Sequence, residues 1–123
     1  MTENLNNIDK FNLFAGKILN LCLSDFPNSR DIDALTDILK DEKAGKEIKG
    51  FVVSSVKALK RFGFIDFKDV SEGVFYEVTL SFKSYEALSR EQDGKALSEL
   101  LSDSVKLGKD EAVINAAKAI MRG

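Results

Sequence analysis

Val56-Lys57-Ala58-Leu59-Lys60-Arg61-Phe62-Gly63-Phe64-Ile65 reads as the last turns of a helix that runs through a glycine into a strand. Reading outward, Phe64 to Phe67 is a short run of β formers, and Lys68 to Gly73 is a turn rich in polar residues. Val74 to Leu80 supplies a second strand, in which strict alternation sets Tyr76, Val78 and Leu80 against Phe75, Glu77 and Thr79. Ser81 then caps a helix of about Phe82 to Arg90, with Tyr85 and Leu88 packing back. Upstream, the helix that enters Gly63 starts near Lys46. The order is therefore helix, two-stranded hairpin, helix.

The helix from Lys46 to Phe62 has two unlike faces. At about 100° per residue, Ile48, Phe51, Val52, Ser55, Val56, Ala58, Leu59 and Phe62 share one side. The opposite side collects Lys46, Lys49, Lys57, Lys60 and Arg61, with Gly50, Val53 and Ser54 among them. From Lys43 through Phe62 there are six basic residues and one acidic residue, a local charge of +5. The whole chain carries −2, so everything else carries −7. A solvated lysine face, with Lys60 and Arg61 favoured near a helix C-terminus, is the plain alternative. Room for close approach at Gly50 and Ser54 favours a binding surface.

The 123 residues suit a single domain with an appendage, divided here at 1–90 and 91–123. Apolar content of 44% is enough for a core, and charged content of 31% suits a soluble surface. No apolar run approaches the ~18 residues of a membrane span. The start, Met1-Thr2-Glu3-Asn4, lacks the charged head and apolar core of a signal peptide, so the expected location is cytoplasmic. With one cysteine, Cys22, and no histidine, there is no internal disulfide, no cysteine-rich zinc site and no histidine base. Cys22 falls on the apolar side of a helix, where a small buried thiol is the usual occupant. No catalytic, metal or cofactor set emerges, and a non-enzyme is expected. Asp66, Asp69 and Glu72 read as a solvated turn.

The first helix is predicted over Asn6 to Leu23, capped by Asn6 or Asn7, with Ile8, Phe11, Phe14, Ala15, Ile18, Leu21 and Cys22 on one broad face and Leu13 and Leu19 on the flank. Phe26-Pro27 stops it. A second helix is expected from Ser29 or Arg30 to Lys40, with Ile32, Leu35, Ile38 and Leu39 inward. Glu91-Gln92-Asp93-Gly94 reads as a polar break. Ala96 to Leu107 and Asp110 to Met121 then form two helices parted by Gly108. A hairpin of about thirty residues buries too little alone, so it must dock on the domain or on a second copy.

Val56 to Ile65 resembles the end of the recognition helix in winged helix-turn-helix regulators, where apolar-x-x-Leu-x-x-x-Gly-x-Ile leads into the wing. Leu80-Ser81-Phe82-Lys83-Ser84-Tyr85-Glu86-Ala87-Leu88 is similar to the Leu-Thr-x-Lys-Gly-Tyr-x-x-Leu pattern of multiple-antibiotic-resistance-type and PadR-type regulators, with serine in place of threonine and of glycine. Together the two stretches cover about a third of the chain. The whole layout also resembles short uncharacterised bacterial and phage-associated winged-helix proteins. The resemblance implies a mainly α fold with a small β-hairpin (α+β), a winged helix-turn-helix with a C-terminal helical extension. It implies duplex DNA binding through Lys46, Lys49, Ser54, Lys57, Lys60 and Arg61, commonly as a homodimer joined through terminal helices. A transcriptional regulator is one outcome. A pI of about 5.2 and a wing tip with one lysine against two acids depart from the basic profile of DNA-binding domains. The competing expectation is a non-enzymatic protein-interaction module on the same scaffold.

Overall fold

Asn6 opens the first helix, α1 (Asn7–Asp25), by accepting a hydrogen bond from the Asp9 amide at 2.8 Å. The computed structural model describes residues 5–122, so the polar start Met1 to Asn4 lies outside it. Leu13, Phe14, Ala15, Ile18 and Leu19 are fully buried. The inward face is therefore wider than the periodicity suggests, and Leu13 and Leu19 belong to the core. Ile8, expected inward, is 70% exposed. The difference has a physical reason: the middle of α1 is enclosed by helices and sheet, whereas its first turn leaves Ile8 uncovered.

The expected helix over 30–40 is two different elements. Arg30–Asp33 is a strand, β1, and Ala34–Leu39 is a single π-helical turn ending at Lys40 in a left-handed conformation. Asp33 forces the change. Its carboxylate accepts from the Leu35 amide (2.8 Å) and the Thr36 amide (3.3 Å), which starts the helical turn only at Ala34. Its own amide donates to Asp37 at 2.8 Å. Ile32 is fully buried opposite Phe75 of the sheet, so the helix-like spacing of Ile32, Leu35 and Ile38 is satisfied across a strand and a turn.

The second α-helix, α2 (Lys46–Arg61), ends where Gly63 takes a positive φ of 85°. Then come β2 (Ile65–Asp66), β3 (Asp69–Ser71), a strand paired with β4 inside the 68–73 stretch expected as a turn, and β4 (Val74–Leu80). β4 is the centre of a small antiparallel sheet, with β1 along one edge and β2 and β3 along the other. Its alternation is broken. Arg30 pairs with Val78 and Ile32 with Phe75, which leaves one extra residue in β4. Glu77 sits at φ 55° there and donates its amide to the Asp31 carboxylate at 3.0 Å. The bulge places Phe75, Val78 and Leu80 together in the core and turns Tyr76 and Glu77 outward, correcting the strict alternation.

Ser81 caps α3 (Phe82–Ser89) through the Ser84 amide, and the buried Ser84 hydroxyl donates to the Phe64 carbonyl. The polar break is a miniature hairpin, β5 (Glu91–Gln92) and β6 (Lys95–Ala96), turning on Asp93 and Gly94 at positive φ. It leads into α4 (Leu97–Lys106) and α5 (Asp110–Met121). Both helices pack on α1 of the same chain. Leu97, Leu101, Val113, Ile114 and Ile120 join the hydrophobic cluster of Phe14, Ile18 and Val56. Arg90 ties the two ends of this region by donating to the Ala119 and Ile120 carbonyls, 3.0 Å each, at the end of α5. The architecture is α+β, mostly helical with a small antiparallel sheet.

Candidate nucleic-acid interface

One side of α2 is sealed by the core and the other is open. Val52, Ser55, Val56 and Leu59 are buried, with Ile48, Phe51 and Ala58 partly so. Ser55 satisfies its hydroxyl within the helix by donating to the Phe51 carbonyl at 2.8 Å. Phe62, expected on this buried face, is 52% exposed. It stands at the C-cap, where the chain swings away through Gly63, and its ring lies 5.4 Å from the Arg61 guanidinium.

The six candidate residues lie within an arc of about 140° on the opposite side. They divide into two groups according to their neighbours. Lys49 and Lys60 lie at the edge of the arc that faces the β-hairpin. Lys60 Nζ donates to the Phe67 carbonyl at 3.0 Å, sits 3.4 Å from the Asp66 carboxylate and lies 4.4 Å from the Phe67 ring centroid. Lys49 lays its stem over the hairpin turn, so close that a Cβ on Gly73 would come within 2.6 Å of Lys49 Cε. Both lysines brace the hairpin against α2. Asp66 and Phe67 are the partners that sequence reading missed; the Lys60–Asp66 spacing offers no periodic signal across the break at Gly63.

Lys46, Ser54, Lys57 and Arg61 are exposed, and none forms an ion pair or side-chain hydrogen bond among the described residues. An added Cβ at Gly50 would meet nothing within 4 Å, so the surface between these side chains is open at the backbone. The hairpin beside them is acidic: Asp66, Asp69 and Glu72 are exposed, while Lys68 is turned toward Glu77 at 3.5 Å. Charge on this side of the molecule is therefore split, cationic along α2 and anionic along the hairpin.

Elsewhere the Cys22 thiol, 1% exposed on α1, is pushed up to about 12 by burial. The Arg30 guanidinium opposes that shift and Asp25 adds to it. The thiol stays protonated at neutral pH, as expected of a packing residue. Among the described residues no helix is long and apolar enough to cross a membrane. No protein-family model, curated protein or solved structure matches the chain.

Proposed function

We propose that the chain is a winged-helix protein that binds double-stranded DNA with the exposed side of α2. The observation that carries this is the set Lys46, Lys57 and Arg61, cations without an ion-pair partner among the described residues, on a helix whose other side is locked into the core. A short helical turn before α2 and an antiparallel hairpin directly after it support the winged layout. Lysine contacts of this kind neutralise phosphates and release counterions, giving binding that weakens with salt. Asn, Gln and Arg are absent from mid-helix, so base reading rests on Ser54 and Lys57 and specificity is modest. The acidic hairpin turn does not contact phosphate in this reading, and Lys49 and Lys60 contribute mainly by holding that turn in place. A regulatory role would follow from such binding.

The test is fluorescence anisotropy with labelled random-sequence duplex DNA at low and moderate salt. The wild-type chain should bind at about micromolar concentration, more weakly as salt rises. Lys46→Glu/Lys57→Glu should lose about tenfold or more, while its thermal unfolding stays where it was. No binding at low salt, or equal binding by the double variant, would remove DNA as the partner.

A protein-interaction module is the second reading, favoured by the exposed aromatic side chains Phe62, Phe82 and Tyr85, of which Phe82 is 70% exposed. Phe26, Tyr85 and Phe82 form a stacked series, with ring centroids 5.0 and 6.4 Å apart. A homodimer through the terminal helices would use Ile8 of α1 and Leu107 at the C-cap of α4, since the other apolar positions of α1, α4 and α5 are largely covered within one chain. Sedimentation that shifts with concentration, and no longer does so in Ile8→Lys/Leu107→Lys, is the expected signature of that dimer.

A further inference from the structure

A cleft of about 330 Å³, none of whose lining residues belongs to α2, opens between α1, the π-helical turn and the corner joining α4 to α5. That is within the size range of small-molecule sites. Its lining includes two cations, Lys17 and Lys40, and two anions, Asp37 and Asp110. None of the four forms an ion pair among the described residues. Asp37 uses one carboxylate oxygen to accept from the Asp33 amide, and its other oxygen has no donor there. Beneath these charges the lining is aliphatic: Ile38 and Val113 are each 1% exposed, and Leu21 is half-buried. The π-helical turn forms one wall.

From this balance we propose that the cleft binds a small zwitterion with an aliphatic body, an amino acid of leucine type. Its carboxylate would be held by Lys17 and Lys40, its ammonium by Asp37 and Asp110, and its side chain by the Leu21–Ile38–Val113 floor. Charge count decides the class. A dianion would bring Asp37 and Asp110 against like charge, and a dication would do the same at Lys17 and Lys40. A neutral apolar molecule would leave four charged groups partly desolvated without partners. An amino acid satisfies both signs at once, and the floor selects one with a branched aliphatic side chain over glycine.

The experiment is isothermal titration calorimetry of the full chain with L-leucine, beside glycine, leucinamide and N-acetyl-leucine. L-leucine should bind one to one with a Kd below about 1 mM. Each analogue lacks one feature (side chain, carboxylate or ammonium) and should bind about tenfold or more weakly. Lys17→Gln and Asp110→Asn, neither in α2, should each weaken L-leucine about tenfold. The analogues on the wild-type chain keep the test valid should either variant unfold. No saturable heat at about 10 mM L-leucine, or leucinamide and N-acetyl-leucine binding as well as leucine, would overturn the proposal. So would variants that bind as the wild type does. No DNA is present, so failure here leaves the reading of α2 standing, and failure of DNA binding leaves this one.

Discussion

Helices α1 and α2 each carry a glycine in mid-helix, and the two glycines serve opposite ends. Gly16 of α1 lies in the seam with α5 and α4. A Cβ there would meet Val113 Cγ1 at 2.7 Å and Leu101 Cδ1 at 3.3 Å. Gly50 of α2 faces empty space, with nothing within 4 Å. The intrinsic cost of glycine in a helix is the same at both positions, about 1 kcal/mol against alanine. At Gly16 that cost is repaid by close approach of a second helix, whereas at Gly50 nothing among the described residues repays it. The comparison teaches how differently the two helices are covered: α1 is closed against α4 and α5 at its glycine, whereas α2 is uncovered at its own.

The largest effect should come from filling the seam. Gly16→Leu is expected to lower the unfolding free energy by about 3 kcal/mol, read by urea denaturation. Val113 is β-branched and stiff, so it gives way poorly. A fully stable variant would mean that α5 is held only loosely on α1.

A pH dependence, smaller per pH unit than the seam effect, tests burial on the other flank of α1. Cys22 has its folded value raised from 9.0 to about 12, so the folded state holds its proton while the unfolded thiol ionises. The contribution is fully present below about pH 9 and is lost as pH rises toward 12. Unfolding free energies should therefore fall by about 1.4 kcal/mol per pH unit more in the wild type than in Cys22→Ala across that window. Parallel slopes would show that the thiol reaches solvent. The smallest effect has the opposite sign: Gly50→Ala should stabilise the chain by about 0.5–1 kcal/mol, because the helix gains propensity without a clash. Destabilisation by this change would reveal a neighbour over the open side of α2, and the comparison of the two glycines would fail.

Much of this was legible in short windows of sequence. The three-and-four spacing of Val52, Val56 and Leu59 locates the buried side of α2, and the basic arc follows from the same periodicity. Gly63 marks the helix end by its need for a positive φ. The hairpin at Asp93-Gly94 reads in the sequence only as a polar break, because a two-residue arm on each side is too short to show alternation. The segment over 30–40 misled because Ile32, Leu35 and Ile38 keep a helical spacing while Asp33 divides them into strand and turn. That Phe62 is half exposed depends on how the chain leaves α2, and that Tyr85 is only partly covered depends on its contact with Phe26.

By itself, then, the sequence determined the long helices, the hairpin after α2, the concentration of cations on one helix and the buried thiol. Each depends on residues within a few turns or a single reversal of the chain. Tertiary structure decided the third sheet neighbour, the bulge at Glu77 and the division of the basic residues of α2 into two that brace the hairpin (Lys49 and Lys60) and three that face outward (Lys46, Lys57 and Arg61). The Asp31 carboxylate meets the Glu77 amide across 46 positions, and Lys49 meets Gly73 across a helix and two strands. Such contacts arise only when the core has brought distant segments together, because no local periodicity encodes which polar groups will then be neighbours.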